Sequence, residues 1–164
     1  MMSSLSDRLF QEEKSIKEND NFKQIGGQLH KIFKDEDDCP HWLLSILGPK
    51  YTPYEGGRFT IEIKFPKDYP NSAPEIQMRT KTYHPNINKA NGNICLPYIY
   101  HWENYFDVTG LIFSVFDLLA HPNSQNAYCT LDEEKARKFT FFYADNSSFD
   151  WNSDFNIRRW NWGF

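Results

Sequence analysis

The residues with most chemical potential sit in the middle of the chain. Cys95 lies in Asn91-Gly92-Asn93-Ile94-Cys95-Leu96, and about nine residues upstream stands the rigid polar tripeptide His84-Pro85-Asn86. A cysteine in a loop, with an asparagine and a histidine nearby, can be a nucleophile with an amide donor beside it. The plainer reading of a lone cysteine is a small buried hydrophobe, but the flanking sequence is polar and glycine-containing rather than core-like. A cysteine hydrolase would need the histidine as a base in hydrogen-bond reach of the sulfur, oriented by a third group. Nothing in the spacing aims His84 at Cys95, and the proline after it favours extended backbone. His101, beside Trp102, is a second possible base and reads better as a loop residue. Cys39 and His41 are too close together for a zinc pair, and no matching pair follows, so no metal ligands are assigned.

These residues need a scaffold. Ser4 to about Glu18 reads as a helix capped by Ser4, with a thin stripe at Leu5, Leu9, Glu13 and Ile16. Asn19, Asp20 and Asn21 break it. Strand signals follow at Leu29–Phe33, Trp42–Leu47, Phe59–Phe65 and around Ile76 and Met78. In the third of these, Phe59, Ile61, Ile63 and Phe65 alternate with Thr60, Glu62 and Lys64, the period of a half-buried strand. Short links rich in turn-formers favour an antiparallel meander over parallel crossover units. Lys81 to about Phe106 has no period, and an irregular segment of that length in a compact domain suggests function. Val108, Leu111, Ile112, Val115, Phe116 and Leu119 make one wide helical face, stopped by Pro122. Thr130 and Glu133 have capping-box spacing and open a last helix that runs to about Tyr143. The tail 145–164 is rich in aromatic residues, which suit either a free end or docking on the domain.

Composition bounds the rest. The 164 residues make one ordinary domain, and 17% aromatic content argues against disorder. A formal charge of −4 makes a general nucleic-acid binder a poor fit. Cys39, Cys95 and Cys129 are an odd set, which points to a reducing compartment, cytoplasm or nucleus. No apolar run approaches the roughly 20 residues that cross a bilayer, so no membrane partner is expected.

Together, Gly48-Pro49, Thr52-Pro53-Tyr54-Glu55-Gly56-Gly57-Arg58-Phe59, Phe65-Pro66, Asp68-Tyr69-Pro70, Tyr83-His84-Pro85-Asn86-Ile87, Gly92-Asn93-Ile94-Cys95-Leu96, Trp102 and His121-Pro122-Asn123 resemble the ubiquitin-conjugating enzyme family. The resemblance covers about Leu5 to Ala144. It implies an α+β domain over residues 4–144: one N-terminal helix, a four-stranded antiparallel meander, a long active-site crossover, then C-terminal helices. It implies that Cys95 carries ubiquitin or a ubiquitin-like modifier as a thioester, received from an activating enzyme and passed to a substrate lysine. No cofactor is implied, since ATP is used upstream by the activating enzyme. Asn86 matches the asparagine credited with stabilising the oxyanion or holding the active loop. Tyr83, His84, Pro85 and Asn126 would support the site.

The sequence also departs from the common pattern. Asn86 and Cys95 are nine positions apart, one more than in common members, and Cys95 and Trp102 are one position closer. Pro97 and Asn126 stand where many members carry acids, one of them thought to orient the incoming lysine. Asn71 replaces an aromatic residue on the ligase-binding surface, and Glu103-Asn104-Tyr105 replaces a Ser-Pro-Ala loop, which implies a ligase of non-standard type. Arg8 on the first helix would contact the activating enzyme or a ligase. The alternative to an active transferase is a non-catalytic adaptor on the same fold.

Overall fold

The computed structural model describes residues 4–144, so the aromatic tail lies outside the described residues. The first helix, α1 (Leu5–Glu18), starts where a full capping box forms. The Ser4 hydroxyl accepts the Asp7 N–H at 3.1 Å, and the Asp7 carboxylate accepts the Ser4 N–H at 3.2 Å. Its inner stripe is Leu9, Glu12 and Ile16, so Glu12 rather than Glu13 turns inward. Asn19 ends α1 but does not end helical structure. Its side-chain oxygen accepts the Phe22 N–H at 2.9 Å and so opens a second, one-turn helix, α2 (Asp20–Gln24).

Four strands follow, β1 (Gln28–Lys34), β2 (Pro40–Leu47), β3 (Arg58–Lys64) and β4 (Glu75–Met78), paired antiparallel in sequence order. The register sets Leu44 opposite Ile61, and Ile63 opposite Ile76, so one sheet face is continuously apolar. That face shares a single core with the long helix α4 (Val108–Ala120), whose buried residues are Val108, Leu111, Ile112, Val115, Leu118 and Leu119. The wide helical face expected there is present, with Leu118 as a further inward position.

The half-buried reading of β3 needs correction, because Thr60 and Glu62 on the opposite face are buried too. The Glu62 carboxylate meets the His41 ring at 2.7 Å and the Arg79 guanidinium at 2.9 Å. Asp35 joins the same network, 3.0 Å from the other His41 nitrogen and 2.9 Å from the Lys64 ammonium. Polar side chains bury well when every charge has a partner, and alternation in sequence does not distinguish that case from exposure.

A second buried carboxylate fastens α1 to α4. Glu12 accepts the Tyr69 hydroxyl at 2.6 Å and the Val108 N–H at 2.8 Å, and it pairs with Arg8. Arg8 also donates to the Phe106 carbonyl at 2.7 Å. Burial, then the Glu12 hydrogen bond, hold Tyr69 well above the usual phenol range, so it remains a donor. The α4 N-terminus is capped by Asp107, whose side chain accepts the Gly110 N–H at 2.8 Å.

The crossover between β4 and α4 is irregular, apart from two isolated β-bridges, Gln77 with Asn93 and Ile87 with Ile94, and a single helical turn, α3 (Pro97–Tyr100). After α4 come a short 3₁₀ turn, Ser124–Asn126, and α5 (Glu133–Tyr143). Asp132, not Thr130, caps α5, its carboxylate accepting the Lys135 N–H at 3.0 Å.

Candidate active site

The Ile87–Ile94 bridge folds the crossover back on itself and the Gln77–Asn93 bridge ties it to β4, which brings Asn86 and Cys95 side by side. The Cys95 N–H donates to the Asn86 carbonyl at 2.8 Å, and the neighbouring Ile87–Ile94 bridge continues the pairing. Cys95 is therefore held by backbone on a short antiparallel ladder. Its side chain is partly exposed, so the thiol is not a sealed core residue. An open groove of about 460 Å³ begins at the next residue, Leu96, and runs between α3 and α4 past Tyr98, Phe113, Ser114 and Asn123.

His84 is 1% exposed, and both ring nitrogens are engaged. Nε2 donates to the Leu118 carbonyl at 2.9 Å, and Nδ1 accepts the Asn86 N–H at 2.9 Å. The carbonyl can only accept, which fixes the hydrogen on Nε2. Burial pushes the His84 pKa down to about 4. His84 is thus a neutral strut between α4 and the crossover, and neither nitrogen has a free lone pair with which to deprotonate Cys95.

This strut has a pH signature. The folded-state pKa lies below the ordinary histidine value of about 6.5, so between those two values the unfolded chain binds a proton that the folded chain does not. Stability is therefore full above about pH 6.5 and falls as the pH drops toward 4, by about 3 kcal/mol in all. Urea midpoints measured across that window should show this slope, and His84→Gln should flatten it even if the variant is less stable throughout.

Asn86 is fully buried. Its amide nitrogen donates to the carbonyls of Asn123 at 2.7 Å and Asn126 at 3.2 Å, and its side-chain oxygen accepts the Asn123 N–H at 2.9 Å. The side chain clasps the segment after α4. Asn126 takes part through its backbone carbonyl, and the residue itself is exposed. Pro85 is buried, and its carbonyl accepts the Tyr128 N–H at 2.7 Å. The Tyr83 carbonyl accepts the Tyr54 hydroxyl at 3.0 Å, while its ring lies 5.9 Å from that of Phe139 and 4.6 Å beneath the Lys135 ammonium.

Two residues that the sequence did not single out touch the sulfur. The Cys95 thiol donates to the Tyr128 hydroxyl at 3.4 Å and shares a second hydrogen bond with the Tyr100 hydroxyl at 3.2 Å. Tyr100 is returned to the sulfur by the single turn of α3, which Pro97 opens at its first helical position. Tyr128 is placed by its N–H on Pro85. The usable signal was the proline two residues after Cys95, which predicts a helical turn just downstream.

The residues expected on a partner surface surround one loop. The Trp102 indole N–H donates to the Pro70 carbonyl at 2.8 Å, which sets exposed Asn71 near exposed Glu103, Asn104 and Tyr105. Arg8 reaches the same loop through Phe106, but its guanidinium is already engaged with Glu12 and that carbonyl.

Architecture and site together define an α+β domain with a partly exposed thiol beside an open groove whose lining starts at the next residue. The chain belongs to the ubiquitin-conjugating enzyme family, which it matches over residues 9–150. It resembles a Toxoplasma gondii ubiquitin-conjugating enzyme E2 domain at 29% identity, with a TM-score of 0.65, covering 82% of this chain and 100% of that one. It also resembles a Plasmodium yoelii protein described as a ubiquitin-conjugating enzyme, at 29% identity and a TM-score of 0.71, covering 90% of this chain and 100% of that one.

Proposed function

We propose that this chain is an active ubiquitin-conjugating enzyme, which takes ubiquitin or a ubiquitin-like modifier onto Cys95 as a thioester and passes it to a substrate lysine. The observation that carries this reading is the partly exposed Cys95 thiol, anchored through its own N–H on Asn86 at 2.8 Å, next to a groove beside α3 whose lining starts at the adjacent Leu96. The groove suits the extended C-terminal segment of a modifier. An activating enzyme would load the sulfur, and a ligase would engage the loop around Trp102, with Asn71, Glu103, Asn104 and Tyr105 giving that contact its unusual character. Exchange of one thioester for another is nearly isoenergetic, so the step itself calls for no metal or cofactor. Asn86 and His84 serve in this scheme by fixing the loop that carries Cys95. Free thiols at Cys39, Cys95 and Cys129 fit a cytoplasmic or nuclear setting.

The test is loading with an activating enzyme, ATP and ubiquitin, read on a non-reducing gel. A reductant-sensitive adduct is expected from the native chain, none from Cys95→Ala, and a reductant-resistant ester from Cys95→Ser. Absence of any adduct with ubiquitin and with a panel of related modifiers would favour the adaptor reading.

A further inference from the structure

We propose that the hydroxyls of Tyr100 and Tyr128 are the hydrogen-bond donors that stabilise negative charge at the reacting centre, first on the Cys95 thiolate and then on the carbonyl oxygen of its thioester. The inference deepens the transfer reading above and rests on it. The acyl oxygen needs a donor, and the residue expected to supply one already directs its amide hydrogens elsewhere. Asn86 is fully buried, and its amide nitrogen faces the carbonyls of Asn123 and Asn126 at 2.7 and 3.2 Å. The two phenols instead meet the sulfur itself: the Tyr100 hydroxyl shares a hydrogen bond with it at 3.2 Å, and the Tyr128 hydroxyl accepts from the thiol at 3.4 Å, a bond that must reverse once the sulfur has lost its proton and can only accept.

They approach from separate elements, α3 and the segment before α5, and each is anchored by its own backbone. The Tyr100 N–H donates to the Leu96 carbonyl at 3.3 Å, and the Tyr128 N–H to the Pro85 carbonyl at 2.7 Å. Both residues are well exposed, Tyr100 at 61% and Tyr128 at 51%, and Cys95 itself is partly exposed. Their hydrogen bonds to Cys95 push the Tyr128 pKa up to about 12 and that of Tyr100 upward as well. Both therefore keep their protons at neutral pH and can donate.

In the transfer step the lysine nitrogen attacks the thioester carbon, and a C–N bond forms. The carbonyl electron pair moves onto oxygen, one atom removed from the sulfur that the phenols already contact. Collapse of this intermediate breaks the C–S bond. The electron pair leaves on Cys95 as thiolate, where the same hydroxyls receive it, and the amine proton passes to water. A donor aimed at charge that develops during the reaction lowers the barrier more than one matched to the resting state.

The test uses Tyr100→Phe, Tyr128→Phe and the double variant, each of which removes only oxygen and keeps the ring. The rate of Cys95 alkylation by iodoacetamide at neutral pH, followed by peptide mass spectrometry, reports the reactivity of the sulfur without any modifier. Single-turnover discharge of the preloaded thioester to free lysine reports the transfer. The alkylation rate should fall by ~10-fold in the double variant. Discharge should fall by ~10-fold in each single variant and by ~100-fold in the double. A double variant whose alkylation rate or whose discharge stays within about twofold of the native chain overturns the proposal. A native chain that accepts no modifier sinks the transferase reading instead, and the alkylation rate then decides by itself whether the phenols stabilise the thiolate.

Discussion

Asn86→Ala should lower stability by about 3 kcal/mol and slow both loading and discharge of Cys95. The side chain is fully buried and engages three backbone groups of residues 123–126. Truncation leaves the Asn123 N–H and the carbonyls of Asn123 and Asn126 without their partner. Each such loss costs about 1–3 kcal/mol when water is excluded, and less here because the segment itself is accessible. Tyr128 stands two residues beyond Asn126, so its hydroxyl should lose its fixed position on the sulfur. Thermal melts should drop by roughly 5–10 °C for a domain of this size, and amide exchange should quicken over residues 121–128. Asn86→Asp keeps the acceptor for the Asn123 N–H but turns a carboxylate oxygen toward two carbonyls, so it should not rescue the fold. If Asn86 acted instead as an oxyanion donor, discharge alone would slow and the melting temperature would hold.

Glu12→Ala should be strongly destabilising, at about 3–5 kcal/mol. One carboxylate accepts the Tyr69 hydroxyl, the Val108 N–H and the Arg8 guanidinium. Without it a buried phenol has no acceptor, the α4 N-terminus loses a partner, and Arg8 loses its countercharge in a half-buried setting. The melting temperature should fall by roughly 10 °C or more. Glu12→Gln keeps the shape and part of the hydrogen bonding, so it should fall between alanine and the native chain. A denaturation series on the three proteins checks the order, and an alanine variant within about 1 kcal/mol of native would show that the tie adds little net stability.

The parts of the fold legible in the sequence are those set by repeating apolar patterns. Val108 to Leu119 announced a helix by its spacing, and the four strands and their antiparallel order followed from alternation and short turns. What escaped depends on single hydrogen bonds. Asn19–Asn21 looked like a break, yet the Asn19 side chain starts α2. Thr130 had the right spacing to cap α5, but Asp132 does so. Alternation in β3 implied a wet face, but Glu62 finds both His41 and Arg79 there. At the site, the motif residues were visible as a family resemblance. The contacts of Tyr100 and Tyr128 with the sulfur were not, because a tyrosine five residues after a cysteine and another 33 after it carry no pattern until the chain is folded.

One unbroken line of bonds has a mechanical consequence. The Leu118 carbonyl holds the His84 ring, that ring holds the Asn86 N–H, and the Asn86 carbonyl holds the N–H of Cys95. Cys95 is therefore bolted to the C-terminal half of α4 through hydrogen bonds alone. A protein gripping the outer side of that helix would transmit its push straight to the thiol, so remote control of reactivity in this fold needs no moving lid, only leverage on one rod.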